Sequence, residues 1–232
     1  MKDVFGTAIL DYQQGNYTED LVTSTSISEE DILPLPYLFR NFSEMPVLEQ
    51  TALELTKGSV LDVGCGAGSH SLYLKSKGLK VKSIDISEGA IKTCQLRGLK
   101  NAEVLDVMNE TASFDTLLLL MNGSGIFQSL AHTPLVLNHL KTLLNHEGQI
   151  LIDSSDIKYM YQDEDGGYWM DGIKDYYGEL DYTVRYKGET VTFDWMYLDF
   201  ERLKIACNQV GLNCELVKEG PHFDFLAKLT VG

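Results

Sequence analysis

Basic residues are few in this chain. Its 19 lysines and arginines are outnumbered by 34 aspartates and glutamates, which gives a formal net charge of −15. Binding to a nucleic-acid backbone draws most of its affinity from clustered Lys and Arg, and the sequence contains no basic run. The charge balance therefore argues against a DNA or RNA partner and weakly favours a small molecule or a cationic or neutral ligand.

Long apolar segments are also missing. The longest largely apolar stretch, Phe114 to Met121, is far shorter than the roughly 20 residues that a membrane-spanning helix needs. The N-terminus has no signal-peptide pattern. We therefore expect a soluble, cytoplasmic protein that does not bind membranes.

Cysteine is scarce, and its spacing is not that of metal ligands. Each cysteine falls inside or beside an element that we expect to be packed, which suits reduced thiols better than a disulfide framework. We expect neither a metal site nor a disulfide bridge. The four residues are Cys65, Cys94, Cys207 and Cys214.

What the chain does contain is a regular alternation of strand and helix patterns. With 232 residues and 44% hydrophobic content, it can bury one substantial core with a small appended element. The alternation predicts an α/β fold with a doubly wound, mostly parallel sheet. Its predicted strands are Ser59 to Val63, Lys80 to Ile86, Ala102 to Val107, Phe114 to Met121 and Gln149 to Asp153.

Capping signals place the helices between these strands. Ser87 is a predicted N-cap for a helix to Arg97. Thr133 with Pro134 predicts a second helix, which should end near His146. Further helices are predicted over Ser69 to Lys77, beginning inside a glycine-rich stretch, and after an Asp199 cap as far as Val210.

The remaining segments suggest additions to this core. Residues 1 to 50 are expected to form a helical cap, and residues 51 to 232 the main domain, with a lid and hairpin insertion over residues 154 to 197. Within that insertion, Leu180 to Tyr186 and Thr190 to Tyr197 alternate around a glycine turn and predict a hairpin. Two last strands, near Asn213 to Val217 and Phe223 to Leu229, should form an antiparallel pair because their connection is short.

The most informative motif runs from Val60 to Gly68, where an apolar strand breaks into a Gly-x-Gly-x-Gly turn and enters a helix. Such glycines allow a sharp turn and let a ligand lie against bare backbone amides. Close packing alone is the structural alternative. The next strand ends in Asp85, 21 residues after Gly64, and an acid at that distance is placed to bind ribose hydroxyls. A nucleoside cofactor is therefore implied.

The choice of cofactor lies between a nicotinamide dinucleotide and S-adenosylmethionine. The dinucleotide pattern requires a third glycine where this chain has Ser69. Asp62, just before the turn, puts negative charge where a pyrophosphate would have to sit, whereas a cationic cofactor tolerates it.

The segment Val60 to Gly68 resembles the first motif of class I S-adenosylmethionine-dependent methyltransferases. The resemblance extends over roughly residues 55 to 155 and includes the family's next strands at Val81 to Ser87, Leu105 to Val107, Phe114 to Gly123 and Gly148 to Ile152. It implies a Rossmann-like methyltransferase fold, a seven-stranded sheet with an antiparallel last strand, and S-adenosyl-L-methionine as cofactor.

The same resemblance implies roles for individual residues. The turn Gly64, Cys65, Gly66 and Gly68 would lie against the aminoacyl and ribose part of the cofactor, and Asp62 would hold the amino group. Asp85 would bind the ribose hydroxyls. Adenine contacts would come from Ile86, Asp106 and Val107, and Asn122 with Gly123 would meet cofactor or acceptor. Asp106 and the Asn122–Gly123 pair have plain turn alternatives.

The acceptor and the catalytic residues stay open from the sequence alone. A general base is needed only if the acceptor keeps its proton near neutral pH, and none of the candidates is assigned. These candidates are His132, His222, Asp153 and Asp156.

Two aromatic segments are expected to shape the acceptor site. One lies within residues 1 to 50 and the other runs from Tyr159 to Tyr177, and both would suit an amine or a flat, apolar acceptor. The alternative is that these aromatic residues anchor the hairpin. The two segments contribute the aromatic residues Tyr12, Tyr17, Tyr37, Phe39, Phe42, Tyr159, Tyr161, Tyr168, Trp169, Tyr176 and Tyr177, together with Arg40.

Three functional classes therefore remain. The leading one is a methyltransferase that acts on a small-molecule acceptor. An NAD(P)-dependent oxidoreductase is disfavoured by Ser69 and by the position of its only Tyr-x-x-x-Lys candidate, Tyr73 and Lys77, on the first helix. The third is a non-catalytic S-adenosylmethionine-binding regulatory protein, because binding does not imply chemistry. The sequence does not predict the oligomeric state.

Overall fold

The computed structural model describes residues 2–163, 165, 167–168 and 174–232, and its helices and strands all lie within those residues. The helices are α1 (Val4–Gln14), α2 (Leu35–Leu38), α3 (Val47–Leu55), α4 (Ser69–Ser76), α5 (Glu88–Leu96), α6 (Thr133–Thr142) and α7 (Phe200–Gln209). The strands are β1 (Leu21–Thr25), β2 (Ser28–Leu33), β3 (Ser59–Val63), β4 (Lys80–Asp85), β5 (Ala102–Val104), β6 (Phe114–Leu119), β7 (Leu144–Ser155), β8 (Glu179–Tyr186), β9 (Glu189–Met196), β10 (Leu212–Glu219) and β11 (Asp224–Val231). Within the described ranges, no helix is long and apolar enough to cross a membrane.

The central sheet has the strand order β10-β11-β7-β6-β3-β4-β5. Strands β3 to β7 are parallel, and β11 pairs antiparallel with both β7 and β10. This confirms the predicted seven-stranded, mostly parallel sheet with an antiparallel last strand. The strand order reverses beside β3, where the chain first adds β4 and β5 and then returns to add β6. A ligand crevice is expected at that switch point, beyond the carboxyl ends of the strands.

Apolar side chains cover both faces of this sheet. Val60, Leu118 and Leu151 pack with α3 and α4 on one face, whereas Leu61, Leu117 and Ile150 pack with α6 and α7 on the other. Because strand side chains alternate between faces, polar residues two positions later in β3 and β7 point to the α3 and α4 side. The face under α3 and α4 therefore carries acids at its carboxyl edge.

A second sheet, with order β2-β1-β8-β9, joins the N-terminal region to the insertion. Strand β1 pairs antiparallel with β8, so that Thr23 lies opposite Val184. The helices expected over residues 1 to 50 are present in α1, α2 and the start of α3, but the β1–β2 hairpin is an addition. Strand β2 reads SEEDIL and lies at the sheet edge with mostly exposed side chains. Acidic residues of this kind protect an edge from further pairing, and they weaken the strand signal in the sequence.

The predicted hairpin in the insertion is present as β8 and β9. Its two-residue turn consists of Lys187 and Gly188, which both have positive φ angles of 49° and 77°, as the tightest hairpin turns require. The expected aromatic loop between β7 and β8 is described only in part, and Trp169 lies outside the described residues.

Several predicted boundaries were wrong. Helix α6 has His132 rather than Thr133 as its N-cap, and it ends at Thr142 rather than near His146. Strand β7 starts earlier, at Leu144, and continues through an irregularity between Leu144 and Gln149, where Glu147 has a positive φ of 60°. Strand β5 is also shorter than expected, since Asp106 accepts a hydrogen bond from the Met108 amide and begins a 3₁₀ turn.

Candidate functional site

The glycine turn sits at the end of β3, beside the switch point. Gly64, Gly66 and Gly68 have φ angles of 68°, 53° and 80°, which side chains with a Cβ rarely adopt. A Cβ on Gly64 or Gly66 would meet no atom within 4 Å, whereas one on Gly68 would lie 2.6 Å from Leu99 Cδ1. Two of the three glycines therefore border open space, and the third permits close packing against buried side chains.

Asp85 lies at the end of β4 and is bonded to this turn. Its Oδ2 atom accepts a hydrogen bond from Gly66 N over 3.0 Å, and its Oδ1 atom accepts one from Ser87 N over 2.9 Å. Burial raises the pKa of Asp85, although these two hydrogen bonds act in the opposite direction. Each oxygen keeps a second acceptor site, which fits a pair of ligand hydroxyls.

The residues expected near adenine differ in their surroundings. Ile86 is 75% exposed, so this apolar side chain beside Asp85 is free to cover a ligand ring. Asp106 is exposed, and its carboxylate accepts a hydrogen bond from Met108 N over 2.9 Å. Val107 is buried, and its carbonyl oxygen is 2.8 Å from His139 Nε2.

Asp62 occupies the buried end of β3, on the side of the sheet that α3 and α4 cover. It is 2% exposed, and its Oδ2 atom accepts a hydrogen bond from Ser71 Oγ over 2.6 Å. Burial raises the pKa of Asp62, and the nearby His70 opposes that shift. A carboxyl group in this setting gains most when a cation approaches it.

A buried charge cluster lies next to Asp62, and no sequence motif predicted it. Glu49 forms an ion pair with Arg40, and its Oε2 atom is 2.6 Å from His70 Nε2. Burial alone would raise the pKa of Glu49, but both partners lower it overall. Burial alone would lower the pKa of His70, but Glu49 and Asp62 raise it overall. The two acidic neighbours of His70 therefore favour its charged form.

Arg40 has hydrogen-bonding capacity that the cluster does not use. Its guanidinium carbon lies 4.0 Å from the centre of the Tyr37 ring. The Nε atom is buried and has no hydrogen-bond partner among the described residues. An unsatisfied buried donor on a cation is costly, and a ligand carboxylate would satisfy it. One signal of this residue was available beforehand, since Arg40 is a single cation among the aromatic residues Tyr37, Phe39 and Phe42.

The turn after β6 forms the opposite side of the crevice. Met121 and Asn122 both have positive φ angles, 65° and 61°, a strained arrangement that persists only where neighbours enforce it. Asp153, on β7, supplies that constraint: its two oxygens accept hydrogen bonds from Gly123 N at 2.8 Å and Met121 N at 3.0 Å. Burial is the main cause that raises the pKa of Asp153 to about 7.

The side chain of Asn122 is used within the protein. Its Nδ2 atom donates to the Met196 carbonyl oxygen over 3.1 Å, and its Oδ1 atom accepts from Ser124 and Ser154. These bonds join the turn after β6 to the end of β9. Asn122 therefore fixes the small sheet to the central sheet.

The other candidate bases have separate positions. His132 Nδ1 is 3.2 Å from the Phe127 carbonyl oxygen, and His222 is exposed at the turn before β11. Asp156 accepts a hydrogen bond from the Tyr177 hydroxyl over 2.8 Å. Tyr176 likewise donates to Asp199 over 2.6 Å. These two tyrosines anchor the insertion to the main domain. For them, the alternative interpretation of the aromatic residues, as anchors rather than acceptor contacts, applies.

The four cysteines are free thiols. Cys65, in the glycine turn, has its Sγ atom 3.7 Å from Cys94 Sγ, well beyond the roughly 2.05 Å of a disulfide bond. The hydrogen bond to Cys94 and burial raise the pKa of Cys65 far above its ordinary value. A raised pKa disfavours the thiolate form of Cys65, and Cys94 packs against Gly68 of the turn.

A doubly wound sheet with this glycine turn and this acid defines a nucleoside-binding α/β enzyme fold. Residues 55–185 match the family model described as a methyltransferase domain. The chain is 43% identical to an S-adenosylmethionine-dependent methyltransferase from Bacteroides fragilis, whose structure contains S-adenosyl-L-homocysteine. That likeness covers 100% of this chain and 95% of the other, with a TM-score of 0.93. The chain therefore belongs to the class I S-adenosylmethionine-dependent methyltransferases, and it is an enzyme of that family.

More distant comparisons add the fold but not the acceptor. The CcbJ methyltransferase from Streptomyces caelestis is 14% identical, with a TM-score of 0.61 over 81% of this chain and 90% of that one. A ubiquinone biosynthesis O-methyltransferase from Leptothrix cholodnii is 36% identical over 66 residues. That match spans only 28% of each chain, and the other curated relatives are matched over about a quarter of their length.

Proposed function

We propose that this enzyme transfers the methyl group of S-adenosylmethionine directly to a small-molecule acceptor in the crevice between the glycine turn and the turn after β6. One observation carries the proposal. Gly64 and Gly66 border open space beside the carboxylate of Asp85, and the amide of Gly66 donates a hydrogen bond to that carboxylate.

The nucleoside half of the cofactor is assigned to the β4 side of the crevice. Asp85 accepts hydrogen bonds from both ribose hydroxyls, since each of its oxygens has one acceptor site left. Ile86 covers one face of the adenine, which its 75% exposure supports. Asp106 and Val107 meet the adenine edge.

The amino-acid half is assigned to the β3 side. The backbone of Gly64, Cys65 and Gly66 lies along it, and Gly68 supports that turn from beneath. Asp62 attracts the amino group, because a buried carboxyl with a raised pKa is stabilised by a nearby cation. The Nε atom of Arg40, for which the described part of the chain offers no hydrogen-bond partner, suits the carboxylate.

The bound cofactor supplies an electrophilic methyl group and a thioether leaving group. The chain has to align an acceptor lone pair with that methyl group and exclude water. The turn held by Asp153 fixes one wall of the crevice, and Asn122 keeps the small sheet in place above it. No residue is assigned as a general base.

The acceptor is proposed to be a metabolite rather than a polymer. A net charge of −15 disfavours polyanions such as nucleic acids. The region over residues 1 to 50 and the insertion over residues 154 to 197 join in one small sheet, which we assign as the cover of the site. A covered crevice restricts the size of the acceptor. We further assign the enzyme to the cytoplasm.

The test uses cofactor that carries a radioactive methyl group. The enzyme is incubated with it and with a cell extract that has been separated by size into metabolites, proteins and nucleic acids. Label is expected in the metabolite fraction, and an Asp85→Ala variant serves as the inactive control. Label that appears only in protein or nucleic acid would contradict the small-molecule assignment.

A further inference from the structure

The inner face of the small sheet carries three neighbouring aromatic side chains. Tyr182 and Phe193 are paired across β8 and β9, and Trp195 lies opposite Leu180 on the same face. All three are partly exposed. We call Tyr182, Phe193 and Trp195 the aromatic wall. Side chains on the outer face, such as Asp181, are polar and exposed, so that only the inner face can hold an apolar ligand.

The aromatic wall borders the crevice at the turn after β6. There the Trp195 indole lies against Gly125, where an added Cβ would come within 2.2 Å of the ring. Tyr182 and Phe193 pack against an apolar cluster of the N-terminal region and the small sheet, and Ala67 of the glycine turn belongs to the same cluster. The wall therefore extends from the turn after β6 to the cluster that contains part of the glycine turn.

The spacing of the rings indicates what kind of ligand the wall suits. Ring centres are 5.7 Å apart for Tyr182 and Phe193, 5.7 Å for Tyr182 and Trp195, and 5.8 Å for Phe193 and Trp195. In the plane of the three centres, the point equidistant from them lies about 3.3 Å from each, which is closer than a relaxed carbon contact of about 3.5–4.0 Å. The rings thus contact one another and leave no room between them for an ammonium group. They form a continuous surface rather than a cage.

We propose that the acceptor carries a planar aromatic ring, which stacks on the aromatic wall and so presents its nucleophilic substituent to the cofactor. This inference rests on the proposed function and adds the acceptor class to it. Flat rings gain most from offset or edge contacts with other rings at centre distances of about 4.5–7 Å. A saturated ring of equal size lacks that interaction.

Binding to the wall is measured without a change to the protein. The parent enzyme is saturated with S-adenosylhomocysteine and titrated in a calorimeter with catechol and, separately, with cis-1,2-cyclohexanediol, each up to about 20 mM, the range expected of a small fragment. Saturable binding of catechol is expected, at least about fivefold tighter than that of the diol.

A pair of variants tests the position of the ring. Phe193→Leu keeps an apolar side chain and is expected to weaken catechol binding about 3–10-fold. Phe200→Leu makes the same change beside Phe225, against the core on the other face of the central sheet, and should leave binding unchanged.

The outcomes separate this inference from the proposed function. Equal binding of both probes, no binding of either, or equal catechol binding in the Phe193→Leu and Phe200→Leu variants would overturn the aromatic acceptor. Each of those results leaves the proposed function intact as long as calorimetry shows that S-adenosylhomocysteine binds. Failure of S-adenosylhomocysteine to bind to the parent enzyme would count against the proposed function instead.

Discussion

The Oδ2 atom of Asp85 accepts a hydrogen bond from the backbone N–H of Gly66 across 3.0 Å. This contact joins the ends of β3 and β4, so that the glycine turn and the acid form one site although the two residues are 19 positions apart in the chain. It also orients the carboxylate before any ligand arrives. A site that is organised in advance loses less entropy when it binds.

Alanine should impair cofactor binding at Gly66 and protein stability at Gly68. Gly66→Ala costs about 1–2 kcal/mol for a left-handed residue with a Cβ, but its methyl group projects into the crevice and should weaken cofactor binding about tenfold or more. Gly68→Ala adds a clash with the buried Leu99 and Cys94, so its stability loss should be larger, about 2–4 kcal/mol. Urea denaturation measures the loss of stability, and calorimetric titration measures cofactor binding. If Gly68→Ala weakened cofactor binding more than Gly66→Ala did, the assignment of Gly66 to the cofactor would be refuted.

The buried charge cluster predicts an unequal response to removal of its members. Glu49→Leu leaves Arg40 and His70 buried without their shared partner and should cost about 3–5 kcal/mol. Arg40→Met should cost less, because Glu49 keeps His70. The double variant should be more stable than Glu49→Leu alone. Urea denaturation tests this order, and a Glu49→Leu protein as stable as the parent would show that the cluster contributes nothing.

Asp153 predicts a pH dependence of stability. Burial raises its pKa from an ordinary 3.8 to about 7, so between these values the folded protein binds more protons than the unfolded chain. Stability conferred at this site therefore falls as pH rises from about 4 to about 7. Relative to Asp153→Asn, the parent should lose about 2 kcal/mol between pH 5 and pH 8. Parallel stability profiles for the two proteins, measured by denaturation at each pH, would contradict the shifted pKa.

Local signals in the sequence predicted the central part of the fold well. The apolar strand before Gly64 and the Ser87 cap both have the structure expected of them. Each depends on neighbouring residues only, because a turn, a cap or a buried strand is decided over a few positions. The antiparallel pairing of β10 and β11 also followed from a short connection.

Features that depend on distant residues were not predictable. Strand β1 becomes a strand by pairing with β8, about 160 residues later in the chain, and no local pattern announces that partner. The contact between Glu49 and His70 likewise joins two helices on either side of β3 in the chain. Asp153 was considered as a general base because of its place at the end of a predicted strand. Its hydrogen bonds to the turn after β6 depend on how β6 and β7 pair in the folded protein, and the sequence does not show that pairing.

The assignment of the crevice to the methyl donor is tested most directly by a calorimetric titration of the purified protein with S-adenosylmethionine, NADH and S-adenosylhomocysteine, repeated with Asp85→Ala. Saturable binding of S-adenosylmethionine and S-adenosylhomocysteine is expected, and no binding of NADH. Asp85→Ala should weaken both by about 10–100-fold, as expected when a charged hydrogen-bond acceptor is removed, while its unfolding transition stays cooperative. Unchanged binding in a folded Asp85→Ala protein, or a preference for NADH, would contradict that assignment.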